Sequence, residues 1–316
     1  MSVFNPNEKY LVIVNPNAGR GKGKKDWEKI SGLLKKEGFT FESVFTKQRR
    51  HAIELTRENI ENGYRKIIVV GGDGTMNEVV NGVFEQKKVP VSEIILSMIT
   101  VGTGNDWGRM FDIPVDYAKA ISTIKKCATF MQDAGIVKYY TGEKRESRYF
   151  INIAGLGFDA LVVEKTNRQK DKGRKGVFLY FWNILTNLLY YKFTITEITV
   201  DGQHVKNETF TISLGIGKYT GGGMMQTPNA IPDDGLFDLT VIKKMRKGEI
   251  IRSLMRLYNG TILDHPKVES YTGKIITINS EPEIHLEVDG ESLGHSPIEF
   301  DIVPRCVQII TGHNYK

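Results

Sequence analysis

GGDGTMNEVVNG, residues 71–82, follows directly on the apolar run Lys66-Ile67-Ile68-Val69-Val70. Strand, glycine turn, one carboxylate, a threonine, then a helical pattern: that order wraps backbone around an anion at the end of a strand. Gly71, Gly72 and Gly74 carry no Cβ, so the chain can turn tightly and a charged ligand can reach its N–H groups. The helix opening near Thr75 aims the positive end of its dipole at the same place. Asp73 alone would repel phosphate, so beside one it reads as a magnesium partner, directly or through water. The plain alternative is a glycine turn capped by an aspartate.

Outward from this stretch, the first ~130 residues alternate strand and helix signals, the pattern of a parallel-sheet α/β domain. Residues 10–14 read as a strand ending at Asn15-Pro16, residues 24–36 as a helix stopped at Gly38, and residues 39–45 as a second strand. A helix over 50–62, a strand over 66–70, a helix over 75–86 and a strand over 94–100 follow. That fourth strand opens into Gly102-Thr103-Gly104-Asn105-Asp106-Trp107. Ligand crevices of open α/β sheets lie at the carboxyl ends of the strands, so these turns are expected to converge.

After about residue 130 short alternating segments take over, at 193–200, 209–216, 237–242, 274–278, 284–288, 298–302 and 307–310. Asp201-Gly202 and Asp289-Gly290 are hairpin turn pairs. Two domains are expected, 1–130 and 131–316, the second an antiparallel β-sandwich or barrel-like unit with one or two inserted helices. A cleft between them is expected to hold the ligand.

Apolar content of 40% with 25% charged residues is globular composition, which excludes a disordered chain. Two cysteines far apart, Cys127 and Cys306, argue against a disulfide framework or a zinc site and fit a reducing compartment. The opening MSVFNPNEKY lacks the layout of a signal peptide, so an intracellular protein is expected. Val177 to Tyr191 is too short, and too interrupted by Asn183, Thr186 and Asn187, to span ~30 Å of hydrocarbon. The net charge of +6 favours anionic partners.

Three further acidic positions accompany Asp73. Asp106 stands at the mouth of a strand, Asp133 opens the second half in Asp133-Ala134-Gly135, and Glu291 follows the hairpin pair Asp289-Gly290. Glycine turns for phosphates together with separated carboxylates suit phosphoryl transfer from a magnesium nucleotide, where the protein positions groups, balances charge and places a base. Gly19-Arg20-Gly21-Lys22-Gly23-Lys24 lacks the Walker spacing and its metal-binding hydroxyl. No HExxH, GxSxG or first-strand GxGxxG occurs, which sets aside zinc proteases, α/β-hydrolases and ordinary Rossmann dehydrogenases.

Taken in order, VNPNAG at 14–19, GGDGTMNEVVNG at 71–82, GTGNDWGR at 102–109, DAG at 133–135, GGGMMQTPNAIPDDGLFDL at 221–239 and VDGE at 288–291 resemble the diacylglycerol kinase catalytic family in its soluble bacterial branch. Sphingosine and ceramide kinases are related to it, and NAD kinase and phosphofructokinase more distantly. The resemblance implies an α/β first domain of the NAD kinase and phosphofructokinase kind, followed by a β-sandwich. It implies an ATP- and magnesium-dependent kinase of phospholipid metabolism that phosphorylates a lipid hydroxyl, with diacylglycerol first. An NAD kinase-like enzyme acting on a soluble substrate and a silent nucleotide- or lipid-binding regulator are the alternatives.

By the same resemblance the nucleotide contacts are Asn15, Pro16, Asn17, Ala18, Gly19, Thr46, Gly71, Gly72, Asp73, Gly74, Thr75, Asn77 and Thr103. Asp73, Asp106 and Asp133 are implied in the carboxylate and water network around the catalytic magnesium. Glu291 is implied as the general base. The Asp234 carboxylate, with the carbonyls of Ile231 and Leu236, is implied to hold a structural ion.

The basic run Lys165, Arg168, Lys170, Lys172, Arg174 and Lys175 leads into the aromatic segment starting Val177-Phe178-Leu179-Tyr180-Phe181-Trp182. That pairing suits a cytoplasmic, peripherally membrane-associated enzyme. Its expected partners are a lipid substrate at the membrane surface and anionic headgroups. No nucleic acid is expected, and a homodimer is compatible with the sequence. Met224 and Met225 are candidates for lining a lipid pocket.

Overall fold

The computed structural model describes residues 5–6, 8–102, 104–171, 177–313 and 315. The chain forms two compact units, Met1–Ala134 with Pro304–Lys316, and Gly135–Val303. The first unit runs β1 (Lys9–Val14), α1 (Ala18–Lys25), α2 (Trp27–Lys36), β2 (Thr40–Phe45), α3 (His51–Glu61), β3 (Lys66–Gly71), α4 (Asp73–Glu85), β4 (Ile95–Thr100), α5 (Asp106–Met110) and α6 (Tyr117–Lys126). Strand β5 (Thr129–Thr141) carries the chain into the second unit.

Strand β1 lies parallel between β2 and β3, and β3 pairs parallel with β4. The buried face of this sheet packs Val12, Val14, Ile68, Val70 and Ile99 against Ile30, Leu34 and Ile121 of the helices. Strand β3, KIIVVG, is buried at every residue, as a strand covered on both faces must be. This is the α/β architecture expected from the sequence.

The second unit continues with β6 (Lys144–Phe150), β7 (Ile153–Gly157), α7 (Phe158–Asp171), α8 (Val177–Tyr190), β8 (Thr194–Val200), β9 (Gln203–Gly215), β10 (Tyr219–Thr220) and β11 (Met224–Met225). Then come β12 (Phe237–Lys243), α9 (Lys247–Asn259), β13 (Val268–Gly273), β14 (Ile275–Glu281), β15 (His285–Val288) and β16 (Glu291–Ile310). Its ladders are antiparallel and return on themselves: β9 pairs β7, β7 pairs β15, β15 pairs β16, β16 pairs β14, β14 pairs β8 and β8 pairs β9. Closure of this kind leaves few strand edges open. Among the described residues three helices, α7, α8 and α9, are inserted where one or two are expected.

Two expectations of organisation need correcting. The sequence places the first short strand of the second half at 193–200, yet residues 129–157 already form β5, β6 and β7. The boundary also differs from a single cut at 130, because Pro304–Lys316 belongs to the first unit. The reason is local: Gln308 and Ile309 of β16 extend the parallel sheet beside Ile95 and Leu96 of β4.

The core of the second unit is anchored by three aromatic rings. Phe150 stacks on Phe237 at 5.8 Å, and Phe300 meets both edge-on at 6.1 and 6.3 Å. All three are fully buried. Phe300→Ala therefore removes ring contacts that the surrounding strands cannot replace, and is expected to cost about 3–5 kcal/mol. A urea titration should show the transition of this unit shifted to lower midpoint with its slope unchanged.

Candidate active site

In the first unit the ends of β1, β3 and β4 carry the turns singled out in the sequence. Asn15 leaves β1 with its N–H on the Val70 carbonyl at 2.9 Å. Its side-chain amide donates to Thr75 Oγ1 at 2.9 Å, and its Oδ1 accepts from the Asn17 N–H at 3.0 Å. Ala18 N–H closes the turn on the Asn15 carbonyl, and Lys24 N–H reaches the Pro16 carbonyl. Gly19 follows with φ of +57°, and a Cβ there would stand 1.8 Å from the Val101 carbonyl oxygen, so only glycine fits. The contact locks the β1 turn onto the β4 turn.

Across the same end of the sheet, a Cβ on Gly102 would lie 3.0 Å from Gly72 Cα. Backbone from the β3 and β4 turns is thus in direct contact, as expected of phosphate-cradling loops. Gly71 ends β3, Gly72 is extended, and Asp73, Gly74 and Thr75 form the first turn of α4. Thr75 and Asn77 are buried on α4. Thr46, at the end of β2, is buried and donates its N–H to the Val14 carbonyl at 2.9 Å. Thr103 lies outside the described residues, as do Lys172, Arg174 and Lys175 and the side chains of Lys170 and residues 177–181.

The carboxylates separate into groups. Asp73 accepts from the N–H of Asp106 at 3.0 Å and of Trp107 at 3.2 Å, holding the start of α5. Gly104 sits between the two acids: a Cβ there would be 3.3 Å from Asp106 Oδ2 and 3.5 Å from Asp73 Oδ2. Asp106 is buried, with Arg109 Nη1 at 3.8 Å from its Oδ1. Asp133 is buried too, and its Oδ1 accepts from the Arg305 N–H at 2.6 Å. Among the described residues no three His, Cys, Asp or Glu side chains converge as a metal cage. The first unit therefore offers Asp73 and Asp106 as a carboxylate pair, with hard oxygen donors of the kind magnesium takes alongside phosphate oxygens and water.

Glu291 belongs to the second unit. Asp289 and Gly290 both have positive φ, +48° and +83°, in a two-residue turn where Val288 pairs with Glu291. The Glu291 carboxylate is partly exposed, and Arg148 Nη2, from a nearly buried side chain, lies 3.6 Å from it. Asp289 does more than turn the chain. Its carboxylate accepts from three successive N–H groups, those of Ile151, Asn152 and Ile153, at 3.0–3.2 Å. Asn167 of α7 donates to the Gly290 carbonyl at 3.1 Å, fixing the turn from a second side.

Behind the turn lies a second acidic pair that the sequence did not single out. Glu287 is buried against Gly155 and accepts from the Gly290 N–H at 2.9 Å. Burial, with the charges of Asp159 and Asp289, pushes its carboxyl well above the usual range, against the pull of that N–H. Asp159 accepts from Thr211 Oγ1 at 3.0 Å and Gln226 Nε2 at 2.7 Å. Crowding by protein raises its carboxyl to about 6, although both donors oppose the rise. Asp159, Thr211 and Gln226 form a polar part of the wall of a small cavity of about 40 Å³. Apart from Ser253 the rest of its wall is apolar, including Phe158, Phe210, Met224, Ile250 and Leu257, so of the two methionines considered Met224 lines it.

The implied ion loop has Leu236 N–H on Asp234 Oδ1 at 3.0 Å, while Ile231 is half exposed. Buried Asp238 is lifted to about 6 by loss of water and then by the charge of Asp234. The Lys218 charge opposes the rise, and the Asp234 and Asp238 carboxylates are oxygen donors of the kind a hard cation takes.

The diacylglycerol kinase catalytic domain matches residues 9–136, and the YegS C-terminal NAD kinase beta sandwich-like domain matches residues 152–311. A diacylglycerol kinase of Staphylococcus carnosus (strain TM300) is 30% identical over 305 residues, 96% of this chain and 95% of that protein. One from Staphylococcus haemolyticus (strain JCSC1435) is 31% identical over 300 residues, covering 95% and 87%. A crystal structure from Bacillus anthracis str. Sterne, provisionally named a diacylglycerol kinase, aligns with a TM-score of 0.80 at 27% identity over 100% of this chain and 99% of that one.

The raised Asp159 carboxyl has a measurable consequence. Folding takes up a proton there between the ordinary value of 3.8 and about 6. Its contribution to stability therefore falls as pH rises through that window and is level above it. Asp159→Asn keeps the shape without the charge. Its unfolding free energy should gain on the parent between those two pH values and hold a constant lead at neutral pH.

Proposed function

The chain belongs to the diacylglycerol kinase catalytic-domain family, and on that premise we propose that it transfers the γ-phosphate of ATP, with magnesium, to a lipid hydroxyl, with diacylglycerol as the leading acceptor. The observation that carries this reading is the meeting of the Gly19, Gly72 and Gly102 turns beside the Asp73 and Asp106 carboxylates. Backbone N–H groups on glycine turns suit phosphate oxygens, and the paired acids suit the metal that accompanies them. Bound magnesium supplies charge neutralisation at the transferring phosphoryl group. Asp133 is assigned to the same water and carboxylate network through the family.

Glu291 is assigned as the general base for the acceptor hydroxyl. Its support is family position together with a rigid mounting: the turn before it is clamped by Asp289, Glu287 and Asn167, and Arg148 flanks the carboxylate. A base held in one place removes a proton more effectively than a mobile one. The apolar side chains around the small cavity are assigned to the acceptor's hydrocarbon chain, and Asp159, Thr211 and Gln226 to its polar glycerol part; at about 40 Å³ the space has to widen to admit them. Asp234 with the Ile231 and Leu236 carbonyls is assigned to a structural ion. Among the described residues no helix is long and apolar enough to cross a membrane, so the lipid would be met at the bilayer surface.

Labelled ATP, magnesium and mixed micelles of candidate lipid alcohols test the reading. Phosphatidic acid should form from diacylglycerol. Glu291→Gln should reduce the rate about 100-fold or more, the size expected of a lost general base, with nucleotide affinity unchanged. Full activity in that variant would remove Glu291 from the role.

A further inference from the structure

Helix α9 has two apolar faces. Ile250, Ser253 and Leu257 are buried and wall the cavity. On the outer side Ile251, Met255 and Tyr258, spaced i, i+4, i+7, are 48%, 68% and 52% exposed. A helix on a water-facing surface carries polar residues there, so a contiguous apolar stripe marks something that covers it. The exposed end of α8 adjoins the stripe: Lys247 Nζ donates to the Leu189 carbonyl, and Leu189 and Tyr190 are themselves 61% and 84% exposed.

Charge identifies the cover. Between Lys243 and Arg256 the chain has six basic residues and one acid; Lys243 and Lys244 are paired with Glu269 and Glu208, which leaves Arg246, Lys247, Arg252 and Arg256. That acid, Glu249, is held by Lys267 and by the Arg246 N–H. Lys247 and Arg252, on either side of the stripe, meet only backbone carbonyls among the described residues. Helix α8 carries no acidic residue at all. A nucleic acid would match the basic rim and leave the apolar stripe wet. A neutral protein groove would match the stripe and leave the cations unmatched. An anionic bilayer matches both, with apolar side chains in the acyl boundary and cations at the headgroups.

We propose that the outer face of α9, with the end of α8, is the surface through which this protein docks on anionic lipid membranes. The inference rests on the lipid-acceptor reading and deepens it, because the helix that touches the bilayer is the wall of the cavity assigned to the hydrocarbon chain.

Co-sedimentation with phosphatidylcholine vesicles, with and without phosphatidylglycerol, tests it. The full chain should bind the anionic vesicles and bind the neutral ones more weakly. Ile251→Ser/Met255→Ser/Tyr258→Ser should weaken anionic-vesicle binding at least about tenfold, and Arg252→Glu should narrow the preference for anionic over neutral vesicles. Both variants should keep the parent's melting temperature and its rate on a dispersed short-chain acceptor. Unchanged vesicle binding by the triple variant overturns the proposal. So does a dimer of the parent that the triple variant splits while vesicle binding persists, since a second copy would then be the cover. Loss of vesicle binding in a protein that phosphorylates no lipid would uphold the docking surface and refute the acceptor reading.

Discussion

Backbone meeting backbone without side chains between is the constraint on which the first unit depends. The Gly19 turn lies on the Val101 carbonyl and the Gly72 turn on Gly102, so the ends of β1, β3 and β4 are drawn into one surface lined with peptide groups. Asp73 then joins that surface to α5 through the N–H groups of Asp106 and Trp107. A single carboxylate thus orders a helix start beside a second acid, Asp106. Any side chain in place of these glycines would separate the turns, and the acids would no longer face a common space.

In the second unit the corresponding device is a rigid hairpin backed by buried acids. Placing carboxylates in a protein interior is costly, and here the cost shows as raised protonation at Glu287 and Asp159. The return is precision: Asp289 accepts hydrogen bonds from three N–H groups, and Glu287 accepts a fourth from Gly290. Glu291 is thereby presented from a turn that cannot easily flex. The polar end of the apolar cavity is electrostatically coupled to this turn through Asp159 and Glu287.

Local signals were the legible ones. The apolar run before GGDG, the glycine spacing and the Asp289-Gly290 pair each report backbone demands set within a few residues, and each appears where the sequence placed it. Long-range pairing was less legible. Strand β7 depends on partners such as Gly215 and Val288, far along the chain, so no local signal picks it out. Strand β16 read as two segments because Pro304 and Arg305 interrupt its alternation. Arg305 takes positive φ there and gives its N–H to Asp133. Arg148 and Glu287 were missed because each stands among other charged residues and looks like a solvent-facing position, and Asp159 because an acid in the first turn of a helix is ordinary; the fold buries the first two and sets Asp159 against Thr211 and Gln226.

The proposed function requires the first unit to seat a magnesium triphosphate, with Asp73 at its centre. Calorimetric titration with ATP, with and without magnesium, on the parent and on Asp73→Asn addresses that claim most directly. The expected result is magnesium-enhanced binding by the parent and at least about tenfold weaker binding, with the enhancement gone, in a variant of unchanged helical content. Equal affinity and equal magnesium dependence in the two proteins would contradict it.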